Sequence, residues 1–295
     1  MNAKGIILAA GKGTRLTPAT LPVSKPFLPI YDKPMIYYPL ETLIRLNVKD
    51  ILFIVHEDDL VVFQNTFGSG KHVGLNFSYI IQKKQKGIAD AYIIAEKFLE
   101  ESPSILALCD NVFIGEKFIH FAEMAHKKIK NGGCSIFGLS VPDPENFGVI
   151  ELDEDGKITR IEEKPSKPKT NLVIPGMYFF DSEAKNYVKE LNLSPRGELE
   201  ITDLIKIYLK NQNLDLEILD DSIIWHDAGN AKSLLDASQN VKKYEIENHV
   251  KVGSYEIAAF EKGFIDISDL NNLAEKFIKS DYGKTIKRYI DNLNN

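Results

Sequence analysis

An apolar run, Gly5-Ile-Ile-Leu-Ala-Ala10, stops abruptly at Gly11-Lys-Gly13-Thr-Arg-Leu16. A run this short and continuous, bounded by glycine, reads as a strand buried on both faces. The connection after it, residues 11–33, is rich in Gly and Pro. Pro34 then suits the first turn of a helix reaching about Leu46. Three more apolar runs follow, Ile51 to Val55, Phe77 to Ile81 and Ile105 to Cys109, with helical periodicity over residues 88–100. Strands alternating with helices predict an α/β fold. The expected core is a Rossmann-like mixed, mainly parallel sheet with helices on both faces.

Downstream the pattern changes. Val149-Ile-Glu-Leu152 and Lys157-Ile-Thr-Arg-Ile161 flank Asp153-Glu-Asp-Gly156, which predicts an inserted β-hairpin. Leu172 to Phe180 reads as one strand, and residues 200–211 and 230–247 as helices. Apolar positions at helical spacing, such as Leu273, Phe277 and Ile278, predict a C-terminal helical appendage. A main domain over 1–245 and an appendage over 246–295 follow from these patterns.

Composition excludes several classes. With 36 basic and 42 acidic residues the net charge is −6, so the surface has no general attraction for a nucleic acid. No run approaches the ~20 apolar residues that span a bilayer. Met1-Asn2-Ala3-Lys4 leads straight into the first strand without a cleavage site. Cys109 and Cys134 lack metal-ligand spacing and suit a reducing, cytoplasmic compartment. The six histidines form no His-x-x-x-His pair, which argues against zinc.

Glycines at 11 and 13 let backbone amides approach a phosphate closely. The loop is neither a dinucleotide fingerprint, since Leu16 stands where a third glycine belongs, nor a P-loop. Alone, it reads equally well as an ordinary turn. Lys12, Arg15 and Lys25 add three cations, and Pro26 biases Lys25 towards an extended backbone. Cations placed beforehand stabilise the charge of a departing pyrophosphate. Asp110 ends the run Ile105 to Cys109, where open α/β sheets bind ligands, and Asp227 follows Ile223-Ile-Trp-His226.

At this point a resemblance becomes specific. Leu8 to Pro18, Ser24-Lys-Pro26 and Leu28 to Leu40 resemble the signature of the short bacterial glucose-1-phosphate thymidylyltransferases, within the sugar-phosphate nucleotidylyltransferase family. The likeness continues through Asp110-Asn111, Phe147-Gly-Val149, Glu162-Glu-Lys-Pro165, Arg196 to Asp203 and Asp281-Tyr-Gly-Lys284. It implies transfer of a nucleotidyl group from dTTP to glucose 1-phosphate, with pyrophosphate leaving and Mg2+ as cofactor.

The same resemblance implies the roles of individual residues. Gly11, Gly13, Thr14, Gln82, Gly87 and Asp110 would contact the nucleotide, with Gln82 and Gly87 at the base. Arg15 and Lys25 would hold the β- and γ-phosphates, and Asp110 and Asp227 the metal. Gly148, Glu163, Lys164, Tyr178 and Arg196 would bind the sugar phosphate, and Arg15, Lys25 and Lys164 would be the catalytic residues. A homotetramer is the implied assembly, with the appendage making oligomer or regulatory contacts.

The chain departs from the family pattern at Ala10, Cys109, Phe147, Asp227-Ala-Gly229 and residues 82–87, which lack the usual prolines. These changes bear on selectivity, so a uridylyltransferase using UTP with glucose or N-acetylglucosamine 1-phosphate is the first alternative. The second is an inactive nucleotide-sugar-binding regulatory subunit. Retention of Arg15, Lys25, Asp110 and Asp227 weighs against it.

Overall fold

The computed structural model describes residues 2–293. Its centre is a block of four parallel strands. Lys4–Ala9 lies between Asp50–Val55 and Ser104–Leu108, and Asn76–Ile81 forms the edge beyond Asp50–Val55. Alternate side chains point to opposite faces. Ile7 and Phe53 therefore join one apolar cluster, while Ile6 and Leu52 join the other. All four are fully buried, as a sheet covered on both sides requires.

Past Ser104–Leu108 the sheet turns mixed. Met177–Phe180 pairs antiparallel with it, followed by Cys134–Ser140, Leu172–Ile174, Gly148–Leu152 and Ile158–Glu163, while Leu214–Ile218 adds in parallel to Cys134–Ser140. The hairpin expected around Asp153 is Gly148–Leu152 against Ile158–Glu163. Its turn is closed by Asp153 Oδ1, which accepts from the backbone of Asp155 and Lys157 at 3.1 and 2.8 Å.

Three local readings are corrected. The first helix is Tyr37–Arg45, because Pro34 instead pairs with Pro29 in a short antiparallel ribbon. Residues 88–100 hold two short helices, Asp90–Ile94 and Glu96–Leu99, that abut at Ala95. Leu172 to Phe180 is two strands, broken at Pro175-Gly176. Proline has no N–H for the ladder. At Gly176 a Cβ would lie 2.6 Å from Leu108 Cδ1 and 2.7 Å from the Asn111 amide, so the chain passes too close for a side chain.

Helices Tyr255–Glu261, Ile267–Lys276 and Asp281–Leu293 build the C-terminal region, and Ile257, Leu270 and Ile286 share the cluster of Ile7 and Phe53. Among them Glu256 is fully buried. Its Oε2 accepts from the Tyr282 hydroxyl at 2.5 Å, and its Oε1 has no partner among the described residues. Burial pushes this carboxyl from an ordinary 4.5 up to about 7. A carboxyl raised by folding contributes stability that is complete below its unfolded value and is lost as pH climbs through the folded one. Glu256→Gln stays neutral throughout. Its unfolding free energy relative to wild type should rise by about 3 kcal/mol between pH 4 and pH 8. Denaturant melts at several pH values measure this, and a flat difference would contradict it.

Candidate active site

The carboxyl ends of the parallel strands deliver the sequence-predicted residues to one edge of the sheet. Lys4–Ala9 runs into the glycine loop, Asn76–Ile81 ends at Gln82, and Ser104–Leu108 ends at Cys109-Asp110. Gly13 has φ 61°, and a Cβ there would sit 2.9 Å from Lys25 Cβ. Glycine at 13 thus permits both the left-handed turn and the packing of the loop on Lys25. Gly11 faces open space, and Thr14 and Arg15 are exposed on the single 3-10 turn that follows.

Asp227 arrives from far along the chain. Ile224–Asp227 pairs antiparallel with Asn111–Ile114, with Asp227 opposite Asn111, and the Ala228 N–H donates to the Asp110 carbonyl at 2.9 Å. This ribbon brings the two carboxylates together. The Lys25 ammonium pairs with Asp110 Oδ2, and Arg15 Nη2 stands 3.9 Å from Asp227 Oδ2.

Asn111 organises the group in a way the sequence reading did not assign. Its Oδ1 accepts from Gly176 N–H at 2.7 Å and Trp225 Nε1–H at 2.8 Å, and its Nδ2 donates to Asp110 Oδ1 at 3.1 Å. The Asp-Asn dipeptide was the available signal. His226 turns away from the group, its Nε2 lying 2.9 Å from Asn240 Nδ2.

Electrostatics follow from burial and pairing. Burial alone would lower Lys25, but the charge of Asp110 overrides it and holds the ammonium above its ordinary range. Burial would likewise raise Asp110, and Lys25 reverses that, leaving its carboxyl below the usual value. Asp227 lacks so close a cation, and burial, then the charge of Asp110, push it up to about 6. The Cys109 thiol is pushed up to about 12 by burial and stays protonated. Two carboxylates side by side, with a protonated thiol and no histidine turned inwards, make an all-oxygen donor set that suits a hard divalent cation. Among the described residues no group of three or more His, Cys, Asp or Glu is arranged for a metal, so further ligands would have to come from substrate and water.

Gly229 is a second residue the sequence reading left without a role. A Cβ there would lie 2.5 Å from Arg15 Nη2 and 2.8 Å from Asp227 Oδ1. The guanidinium is the more mobile of the two, so Gly229→Ala should displace Arg15. The expected loss is about tenfold in kcat/KM for the nucleotide with the melting temperature nearly unchanged, since one charge-assisted bond weakens. Unaltered kcat/KM in a folded variant would contradict this.

A second group adjoins the first. Gly148 and Glu163 face each other across the hairpin, and Glu163 Oε2 accepts from Thr202 Oγ1 at 3.0 Å. Arg196 reaches Glu163 at 3.6 Å, Glu198 at 3.1 Å and Glu200 at 3.4 Å. Glu163, Arg196 and Glu200 line a groove of about 660 Å3. Lys164 is exposed, makes no ion pair among the described residues, and has φ 42°. A left-handed backbone at a non-glycine residue is strained, and such residues cluster at functional sites. Tyr178 is buried between the two groups. Its hydroxyl is raised by burial first, and by the charges of Glu163, Asp110 and Asp227.

The residues expected at the base follow the edge strand Asn76–Ile81. Gln82 is buried and donates from Nε2 to Asp90 Oδ2 at 2.9 Å. Gly87 has φ 99°, and a Cβ there would strike the Leu199 carbonyl at 2.3 Å, so this glycine serves chain packing in the first instance. Gln85 Nε2 donates to the Ala10 carbonyl at 2.8 Å and ties this loop to the glycine loop.

Comparison with known proteins identifies the family. The nucleotidyl transferase family model matches residues 4–244. A glucose-1-phosphate thymidylyltransferase of Xanthomonas campestris pv. campestris is 43% identical over 281 residues, covering 95% of each chain. One from Mycolicibacterium smegmatis is 40% identical, covering 98% of this chain and 99% of its own. A crystal structure described as a glucose-1-phosphate thymidylyltransferase from Bacillus anthracis, in complex with sucrose, superposes with a TM-score of 0.74 at 37% identity. That alignment covers 81% of this chain and 94% of the other. The chain belongs to the nucleotidyl transferase family, in its glucose-1-phosphate thymidylyltransferase branch.

Proposed function

We propose that the chain transfers a thymidylyl group from dTTP to glucose 1-phosphate, releasing pyrophosphate, in a single displacement at the α-phosphorus. The observation that carries this reading is the meeting of Arg15, Lys25, Asp110 and Asp227 at the carboxyl edge of the parallel strands. Arg15 and Lys25 hold the β- and γ-phosphates, beside Gly11, Gly13 and Thr14 of the glycine loop. Glu163 and Gly148 contact the sugar. Lys164 and Arg196 hold its phosphate, and Arg196 exchanges part of its carboxylate shell for that phosphate. Tyr178 forms the wall between the two substrates. The attacking phosphate oxygen is already anionic at neutral pH, so no general base is needed. Catalysis consists of bringing two anions together and stabilising the charge of the leaving group.

Asp110 and Asp227 would hold Mg2+, which would neutralise phosphate charge and help orient the triphosphate when bound. Before it enters, Lys25 supplies the countercharge to Asp110 and keeps the carboxylate ionised and in place. The setting we propose is cytoplasmic, in keeping with two free, buried cysteines. Among the described residues no helix is long and apolar enough to cross a membrane. Residues 1–245 carry both substrates, and 246–295 serve contacts between four identical subunits.

The test is a substrate matrix. Protein and Mg2+ are incubated with each of dTTP, UTP, CTP, ATP and GTP against several sugar 1-phosphates, and pyrophosphate is measured. dTTP with glucose 1-phosphate should give the highest kcat/KM. A clear preference for UTP would replace this reading with a uridylyltransferase, and silence with every pair would leave a binding subunit.

A further inference from the structure

We propose that Asp90 is a specificity-determining positioning residue. It locks the Gln82 amide so that the site takes bases with a ring N–H, thymine or uracil, and turns away cytosine. The inference rests on the assignment of Gln82 to the base. Gln82 and Asp90 are 5% and 6% exposed, and Gln82 Nε2 donates to Asp90 Oδ2 at 2.9 Å. A carboxylate offers only acceptors, so the amide must turn its NH2 towards Asp90. The Gln82 carbonyl oxygen then points the other way, and it takes no hydrogen bond among the described residues. An unpaired acceptor beside one spare amide N–H complements the N3–H and neighbouring carbonyl of thymine. Cytosine reverses that order, with an acceptor at N3 and a donor at N4. Binding it would require the amide to flip and set its oxygen against the Asp90 carboxylate.

The lock is held from several sides. The Gln82 backbone N–H donates to the Val55 carbonyl at 2.9 Å. Asp90 begins the helix Asp90–Ile94, and the residue before it, Ala89, donates to the Leu199 carbonyl at 3.2 Å. Leu199 N–H in turn bonds the Lys86 carbonyl at 2.6 Å. These bonds fix the backbone on both sides of the pair, and the Gln82–Asp90 bond sets the amide on that frame. Nothing in the local pattern signals this pair, because Asp90 looks like an ordinary acidic residue in a first helical turn.

The test compares kcat/KM for dTTP and dCTP, with glucose 1-phosphate, in wild type, Asp90→Asn, Asp90→Ala and Gln82→Ala. Asparagine keeps the shape but can donate or accept, so it supports both orientations of Gln82. Asp90→Asn should hold dTTP within about threefold, while the ratio of dTTP to dCTP falls about tenfold or more. Asp90→Ala should lower the ratio as well. The ratio is internal to each variant, so a loss of folded fraction cancels. If Gln82→Ala collapses the ratio but both Asp90 variants keep it, Gln82 reads the base unaided and the proposal is overturned. If Gln82→Ala leaves the ratio intact, the base assignment itself is wrong and the proposal goes with it. A wild type inactive with either nucleotide would instead refute the proposed reaction.

Discussion

Asp110→Asn should cut pyrophosphate release by about a hundredfold to a thousandfold in a protein that still folds. The substitution keeps shape and removes one charge. In this account that charge does two things: it anchors the divalent ion and it balances Lys25. Loss of one preorganised electrostatic contact at the reacting phosphates is worth about that factor. Stability should fall by roughly 1–3 kcal/mol, because Lys25 keeps a hydrogen-bond acceptor but loses its counter-charge in a largely buried place. Turnover titrated against Mg2+ and a thermal melt check both. Activity within tenfold of wild type would show that the metal is held elsewhere.

Lys164→Ala should cost about a hundredfold in kcat/KM for glucose 1-phosphate, with little change for dTTP. A charge-assisted bond of roughly 1.5–3 kcal/mol sets that scale. Lys164 makes no ion pair among the described residues, so its removal leaves no carboxylate stranded and the fold should persist. Its φ of 42° supplies a control. Lys164→Gly relieves the strained backbone, which should raise stability by about 0.4–1 kcal/mol, yet it should lose as much activity as the alanine. Near-normal pyrophosphate release by either variant would remove Lys164 from the mechanism.

The parallel block was legible because its strands are short, continuous apolar runs, and Asp110 was legible as the acid at the end of one of them. The hairpin announced itself by Asp153 to Gly156. Leu214-Asp-Leu-Glu-Ile218 alternates in the manner of a strand and could have been read as one. The break at Pro175-Gly176 was written in the residues but masked by apolar neighbours on both sides. The meeting of Asp227 with Asp110 was not accessible to local reasoning. It depends on a two-stranded ribbon between segments more than a hundred residues apart, and on Gly229 leaving room for Arg15. Gln82 with Asp90 was equally hidden, since burial of a polar pair is a property of packing.

The most direct measurement is X-ray diffraction from a crystal grown with Mn2+ and a non-hydrolysable dTTP analogue, recorded at the manganese absorption edge. An anomalous peak is expected between the Asp110 and Asp227 carboxylates, touching the phosphates, with Arg15 and Lys25 on the triphosphate. A triphosphate bound away from those cations, or a metal peak remote from both aspartates, would contradict it.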